Sequence, residues 1–348
     1  MMPIMPEGFG PLSGVRVGHA ADAEALTGST VLLFPEGAVA ACQVLGGATG
    51  ERELETLQPT HLVERIDALV FAGGSAFGLD AAGGVMRWCE EHEMGFNAGV
   101  ARVPIVPAAI VFDLRLAGRR RPDAAMGYAA AQAAMDARPD APVLEGNAGA
   151  GTGCTVGKLF GVSRAMKAGI GCWTERLQGD AGEVTIAALA VVNAFGDVLE
   201  WGSGQIIAGA RRSDTSGEFV NMAEAIRRGE GRSGFAEGDV VKGELAGRGS
   251  VTGGRPDPNT VLVAVATDAA LSRAEASRVA RMAAAGMARA ISPAHTTYDG
   301  DVIFVLSVGN ARADLNALGI AAADAVARAI LRGVTQAHSA AGIPGLAG

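Results

Sequence analysis

The chain is short of aromatic residues, of charge and of any long apolar run, and each shortage removes a class of protein. Of its 348 residues 5% are aromatic and 19% charged, with a formal net charge of −8 and a pI near 5.2. No lysine or arginine cluster is interleaved with aromatics, so neither counterion release nor phosphate pairing favours a nucleic acid or an anionic membrane surface. The longest apolar runs, such as Val103 to Phe112, reach about ten residues and contain proline or glycine, well short of the roughly 18 to 20 that span a bilayer. Met1 to Gly10 has neither the basic start nor the apolar core of a signal peptide, and a cytoplasmic protein is expected.

Cysteine and histidine are equally sparse. Cys42, Cys89, Cys154 and Cys172 are far apart with no C-x-x-C, which predicts four buried, reduced thiols rather than a zinc cluster or a dithiol pair. His19, His61, His92, His295 and His338 form no H-E-x-x-H, so a metal enzyme is not expected. Length alone, at roughly 150 residues per domain, permits two domains, and a single large α/β domain over 1–348 is the preferred reading.

Glycine, by contrast, is abundant: 50 residues, spread between β-branched runs, which predicts many tight turns and close backbone approaches. Apolar runs predict buried strands at Thr30–Phe34, Ala38–Val44, Ile66–Ala72, Ile105–Phe112, Ile186–Asn193, Val261–Thr267 and Val302–Val308. Helices are predicted over Ala76–His92, from a Ser272-x-x-Glu275 capping box towards Ile291, and along a stripe of Ile320, Ala323, Ala327, Ile330 and Val334. On that last helix Asp324, Arg328 and Arg332 occupy another face at i, i+4 spacing. No internal repeat is evident.

Four local features bear on chemistry, and each has an ordinary structural counterpart. Gly149-Ala-Gly-Thr-Gly153 with Gly157-Lys158 fails both the Walker and the dinucleotide patterns, leaving a glycine-lined turn whose lysine either approaches a reacting centre or sits exposed at a loop end. Gly73-Gly74-Ser75-Ala76-Phe77 resembles a nucleophile elbow but ends in phenylalanine, so a structural strand-turn-helix is favoured. Asp299-Gly300-Asp301 places two acids at a strand entrance, where they either orient a nucleophile or ammonium, or form a plain turn. Finally, the glycine-rich, charged segment Arg211–Asn259 gives way abruptly to the core strand beginning at Thr260.

Together these pieces resemble one family, the L-aminopeptidase/D-esterase (β-peptidyl aminopeptidase) group of self-cleaving, N-terminal-nucleophile-like hydrolases, which includes the nylon-oligomer (6-aminohexanoate-oligomer) endohydrolase branch. The carriers of the resemblance run over most of the chain: Val17-Gly18-His19, Gly46-Gly47-Ala48-Thr49-Gly50-Glu51-Arg52-Glu53, Phe71–Leu79, Val106–Asp113, Gly149–Gly153 with Gly157-Lys158, Asn259-Thr260, and His295-Thr296 with Asp299-Gly300-Asp301. The resemblance implies a four-layer α/β/β/α sandwich cut between Asn259 and Thr260, giving a large piece 1–259 and a small piece 260–348 whose N-terminal Thr260 is the nucleophile. It further implies that Asn193 stabilises the oxyanion, that Lys158 is the cation beside the nucleophile, and that Asp299 and Asp301 position Thr260 and its freed amine.

The Asp-Gly-Asp pattern with Thr matches the nylon-oligomer branch, whereas the aminopeptidase branch resembles Ser and Glu around the glycine. The resemblance also implies small peptides or amide oligomers as substrates, no metal or organic cofactor, and assembly as a tetramer of processed pairs. One departure is Phe112, where relatives carry a tyrosine that contributes to the site. Ser250 is a weaker candidate nucleophile because no core strand follows it. Two rival readings are an acyl transferase of the ornithine acetyltransferase type and a binding protein that keeps the fold without cleaving.

Overall fold

In the computed structural model, the residues described are 9–138, 141–230 and 259–347. Ser250 and the glycine-rich run up to residue 258 lie outside them. Nine strands share one hydrogen-bonded sheet: β1 (Arg16–Asp22), β2 (Thr27–Val44), β3 (Glu51–Arg52), β4 (Arg65–Ala72), β5 (Ala108–Ile110), β6 (Ile170–Gly179), β7 (Gly182–Asn193), β8 (Thr260–Ala269) and β9 (Val302–Ala311). Their order across the sheet is β6-β7-β8-β9-β2-β4-β5-β3, with β1 paired to β2.

The sheet folds back on itself through β2. The two strands predicted at Thr30–Phe34 and Ala38–Val44 are one 18-residue strand with a register shift between Leu33 and Ala38, where Pro35 lacks an N–H and Gly37 has φ of 69°. Thr30 pairs with Phe71 and Cys42 with Phe304, positions that a straight strand would hold roughly 40 Å apart. Yet the two phenylalanine rings lie 5.8 Å apart. The halves of the sheet therefore face one another, and alternate residues of the first half look in opposite directions. Val31, Leu33, Ala68 and Val70 pack on helices α1 (Ala81–Glu91) and α2 (Ala124–Asp136), while Leu32, Phe34, Leu69 and Phe71 enter the core between the layers.

Helices α3 (Arg273–Ala290) and α4 (Leu315–Thr335) cover the outer face of the second half, completing the four-layer α/β/β/α sandwich. The capping box opens α3 as predicted, with Ser272 accepting from the Glu275 N–H and Glu275 from the Ser272 N–H. On α4 the stripe from Ala323 to Val334 is buried, but Ile320 is 58% exposed. Its charged face pairs with other elements rather than along itself: Asp324 with Arg289, Arg328 with Glu175 and Arg332 with Glu145. The four cysteines are free, Cys42 being half-buried and the others buried. Among the described residues, no helix is long and apolar enough to cross a membrane.

Candidate active site

Strand directions bring the predicted residues to one end of three adjacent strands. β7 runs antiparallel to β8, so its last residue, Asn193, lies directly opposite Thr260, the first residue of β8. β8 and β9 are parallel, joined by the crossover helix α3, so their starts align and Asp301 sits immediately before Val302, the partner of Leu262. Thr260, Asn259, Asn193, Asp299 and Asp301 are each at most 2% exposed, and Lys158 is 5% exposed.

The Thr260 hydroxyl donates to the carbonyl oxygen of Asn259 at 2.6 Å. The Gly300 N–H donates to that same oxygen, also at 2.6 Å. Gly300 is glycine for steric reasons: a Cβ there would stand 2.6 Å from the Ala48 carbonyl oxygen and 2.9 Å from the Thr260 hydroxyl. Gly46 answers to the same crowding, since a Cβ on it would meet the Asp299 carbonyl oxygen at 2.1 Å. The loop Leu45–Ala48 thereby closes on the Asp-Gly-Asp turn, through Leu45 N–H to Asp301 O at 2.9 Å and Ala48 N–H to Asp299 O at 2.8 Å.

The Asp301 carboxylate acts on the backbone beside Thr260, and that of Asp299 on Phe195, beyond the end of β7, and on its own turn. Asp301 accepts the Val261 N–H at 2.8 Å through one oxygen, and through the other the His295 N–H at 3.2 Å and ring Nδ1 at 2.9 Å. Asp299 accepts from the Phe195 N–H at 3.2 Å and from the Thr296 N–H and hydroxyl at 3.0 and 2.6 Å. Burial, and then the nearby Asp301 charge, push the Asp299 carboxyl up to about 6. Each carboxylate oxygen already accepts at least one hydrogen bond, and the two that hold the Val261 and Phe195 N–H groups keep a further lone pair.

Lys158 and Asn193 form a second unit. The lysine Nζ donates to Asn193 Oδ1 at 2.7 Å and to the Asn193 backbone carbonyl at 3.0 Å. Thr155 N–H adds a donor to Oδ1 at 3.1 Å, so the amide nitrogen is turned the other way and donates to the Phe112 carbonyl at 3.1 Å. Phe112 has no hydroxyl to contribute, and it meets the site through its carbonyl. Lys158 is a buried ligand of Asn193, not an exposed lysine at a loop end. The glycine turn at 149–153 belongs instead to Lys167, whose Nζ donates to the Thr152 and Cys154 carbonyls at 2.9 and 2.8 Å.

The elbow-like Gly73-Gly74-Ser75 turn is structural. Gly74 N–H donates to Asp113 at 2.7 Å, the Thr27 hydroxyl donates to its other oxygen at 2.6 Å, and Ser75 N–H to the Val111 carbonyl at 3.0 Å. Two participants carried no role in the sequence: the Gly300 N–H, because backbone donors leave no residue-type signal, and His295, whose fixed spacing to Asp301 was visible but without a partner.

A buried threonine hydroxyl thus heads a core strand, against its own preceding carbonyl and inside a four-layer sandwich. Residues 11–347 match the model of peptidase family S58, and the chain belongs to that family, whose members hydrolyse amide bonds. It is 39% identical over 96% of its length to an uncharacterized aminopeptidase of Mycobacterium leprae (strain TN), covering 91% of that protein. It is 30% identical to the 6-aminohexanoate-oligomer endohydrolase of Kocuria sp. (strain KY2), over 84% of this chain and 73% of that one. The solved L-aminopeptidase D-Ala-esterase/amidase of Ochrobactrum anthropi, a variant of the N-terminal-nucleophile hydrolase fold, superposes with a TM-score of 0.64 at 19% identity, covering 95% of this chain and 86% of that one.

Proposed function

We propose that this amide hydrolase is self-processing, and that Thr260 first cleaves the peptide bond before it and then serves as N-terminal nucleophile. The observation that carries the reading is the Thr260 hydroxyl 2.6 Å from the Asn259 carbonyl oxygen, with the Gly300 N–H on the same oxygen. Attack by Oγ on the Asn259 carbonyl carbon puts negative charge on an oxygen that already has a backbone donor. Collapse expels the Thr260 nitrogen, which takes up the proton lost by the hydroxyl, and leaves an Asn259 ester on Oγ. Water then cleaves the ester, releasing Asn259 as a carboxylate.

In turnover, the freed α-amine of Thr260, with an ordinary pKa of about 7.7 to 8.0, takes the hydroxyl proton as Oγ attacks a substrate amide. That proton passes to the leaving amine, and water resolves the acyl-enzyme. Asn193, held by Lys158, lies opposite Thr260, and its amide, one N–H of which bonds Phe112, offers the other to the oxyanion, while Asp301 fixes the Val261 N–H and Asp299 the Phe195 N–H. The substrate class is a small peptide or ω-amino-acid amide, in keeping with the aminopeptidase and 6-aminohexanoate-oligomer relatives; the tetramer of processed pairs is carried by the family resemblance alone.

The test is intact mass under denaturing conditions, for wild type and Thr260→Ala. Wild type gives two pieces, the shorter of about 9 kDa out of 35.1 and beginning Thr-Val-Leu-Val. Thr260→Ala gives one uncut, inactive chain. Cleavage at 259/260 in that variant sinks the intramolecular mechanism.

A further inference from the structure

His295 lies in the turn between α3 and β9, with its backbone in the left-handed region at φ 55°, which a side chain ordinarily avoids. That conformation aims both its N–H and its ring Nδ1 at one oxygen of Asp301, at 3.2 and 2.9 Å. The other oxygen of Asp301 holds the Val261 N–H at 2.8 Å, one residue beyond Thr260. Ring, carboxylate and nucleophile strand thus form one connected chain.

The protonation state of the ring follows from its neighbours. Hydrogen bonding to Asp301 is the main cause raising its basicity; burial opposes it, but the Asp301 and Asp299 charges and the Ala284 carbonyl of α3 add to the rise, and the net direction is upward. A carboxylate and a carbonyl are both acceptors, and only an imidazolium offers a donor to each. The Leu45–Ala48 loop and the Asn259–Val261 segment bring no charged side chain to oppose this. Asp301 is 1% exposed, so water does little to balance its charge, and the quarter-exposed imidazolium does.

We propose that His295 is a positioning residue that, as imidazolium, clamps Asp301 so that the Asp301–Val261 hydrogen bond holds Thr260 against the carbonyl it attacks. This rests on Thr260 being the nucleophile. The left-handed backbone and the ring contact then have one purpose, which is to keep a buried carboxylate aligned.

The experiment uses the full-length chain with amino-acid p-nitroanilides and 6-aminohexanoate oligomers, taking whichever wild type hydrolyses. His295→Ala lowers kcat at least tenfold with KM little changed. His295→Asn tolerates the left-handed backbone and places an amide N–H near the position of Nδ1, so it restores kcat at pH 6.5 to within about threefold of wild type. Because asparagine does not titrate, the ratio of wild-type to His295→Asn kcat falls as the pH is raised from 6.5 to 9, the shared titration of the Thr260 amine cancelling in the ratio.

A wild-type kcat in His295→Ala, or a ratio that stays flat with pH, overturns the proposal while leaving the nucleophile reading intact. Unimpaired hydrolysis by Thr260→Ala, run in parallel, overturns the nucleophile reading and this proposal with it.

Discussion

Replacing Gly300 by alanine tests the self-cleavage geometry with a single methyl group. The new Cβ would stand 2.6 Å from the Ala48 carbonyl oxygen, 3.1 Å from its carbon and 2.9 Å from the Thr260 hydroxyl. Ordinary contact begins near 3.4 Å, so about 0.8 Å of movement is needed at the Ala48 carbonyl oxygen and about 0.5 Å at the Thr260 hydroxyl. Two of the three obstacles are backbone, and the hydroxyl gives way first. Overpacking of this kind costs about 1–3 kcal/mol of stability. A misplacement near 1 Å slows a reaction about a hundredfold, so half of that predicts roughly tenfold slower self-cleavage. Movement of the turn also draws the Gly300 N–H away from the Asn259 oxygen, adding to the loss. The assay is a pulse-chase in cell-free translation followed on a denaturing gel, because overnight expression would hide a tenfold effect. Urea denaturation of the same variant reads the stability cost separately. Cleavage at the wild-type rate in Gly300→Ala refutes the placement of the hydroxyl and of the N–H together.

Two other outcomes follow from the same geometry. Lys158→Met removes two donors from Asn193 while keeping the length of the side chain, and hydrogen bonds from a charged group contribute about 1.5–3 kcal/mol, so kcat falls about ten- to hundredfold with KM nearly constant; unchanged turnover takes Lys158 out of the site. Asp197→Asn should also change the pH dependence of stability between 8 and 6.5, removing a contribution that favours the folded chain at the lower pH. Burial pushes Asp197 up to about 7, and Asp301 raises His295, so both contribute stability that is present at low pH and lost as pH climbs through their folded values. Asp197 alone supplies about 1 kcal/mol across that window. Lys167 and His19 work the other way across the same window, since burial lowers them to about 8 and about 4 and the folded chain holds them less protonated than the unfolded one. A wild-type slope in Asp197→Asn contradicts the assignment.

The strands that carry the site were legible because they are buried on both faces, and so read as continuous apolar runs ending in a polar residue: Asn193 after one, Thr260 before another, Asp301 before a third. Their adjacency was not legible, since nothing local says that β7 is antiparallel to β8 and β9 parallel to it. The same blindness hid the partner of Lys158 and made a loop-end lysine the favoured reading from composition alone. β1 and β6 escaped notice because their half-exposed residues interrupt any apolar run, as in Trp173-Thr-Glu-Arg-Leu-Gln178. Helix α2 escaped because alanine stands on every side of it and marks no stripe. Ile105–Phe112 was read as one strand, but Pro107 has no N–H to give a ladder and only Ala108–Ile110 pairs regularly.

The sheet order also bears on how a chain can be cut at its own active site and keep its fold. The piece 260–348 contributes β8 and β9, and these sit side by side in the middle of the sheet. β8 is hydrogen-bonded to β7 from Asn193↔Thr260 through Ile186↔Thr267, and β9 to β2 from Val302↔Val44 through Ser307↔Val39. Both outer partners belong to the piece 1–259. Separating the pieces would expose two inner strand edges and the apolar surface beneath α3 and α4, so the proposed cut relieves a covalent constraint at Thr260 without opening the core. What it changes is local. The Thr260 nitrogen ceases to be an amide and becomes a base, within a pocket whose carboxylates, glycine and loop are already in place before the bond is broken.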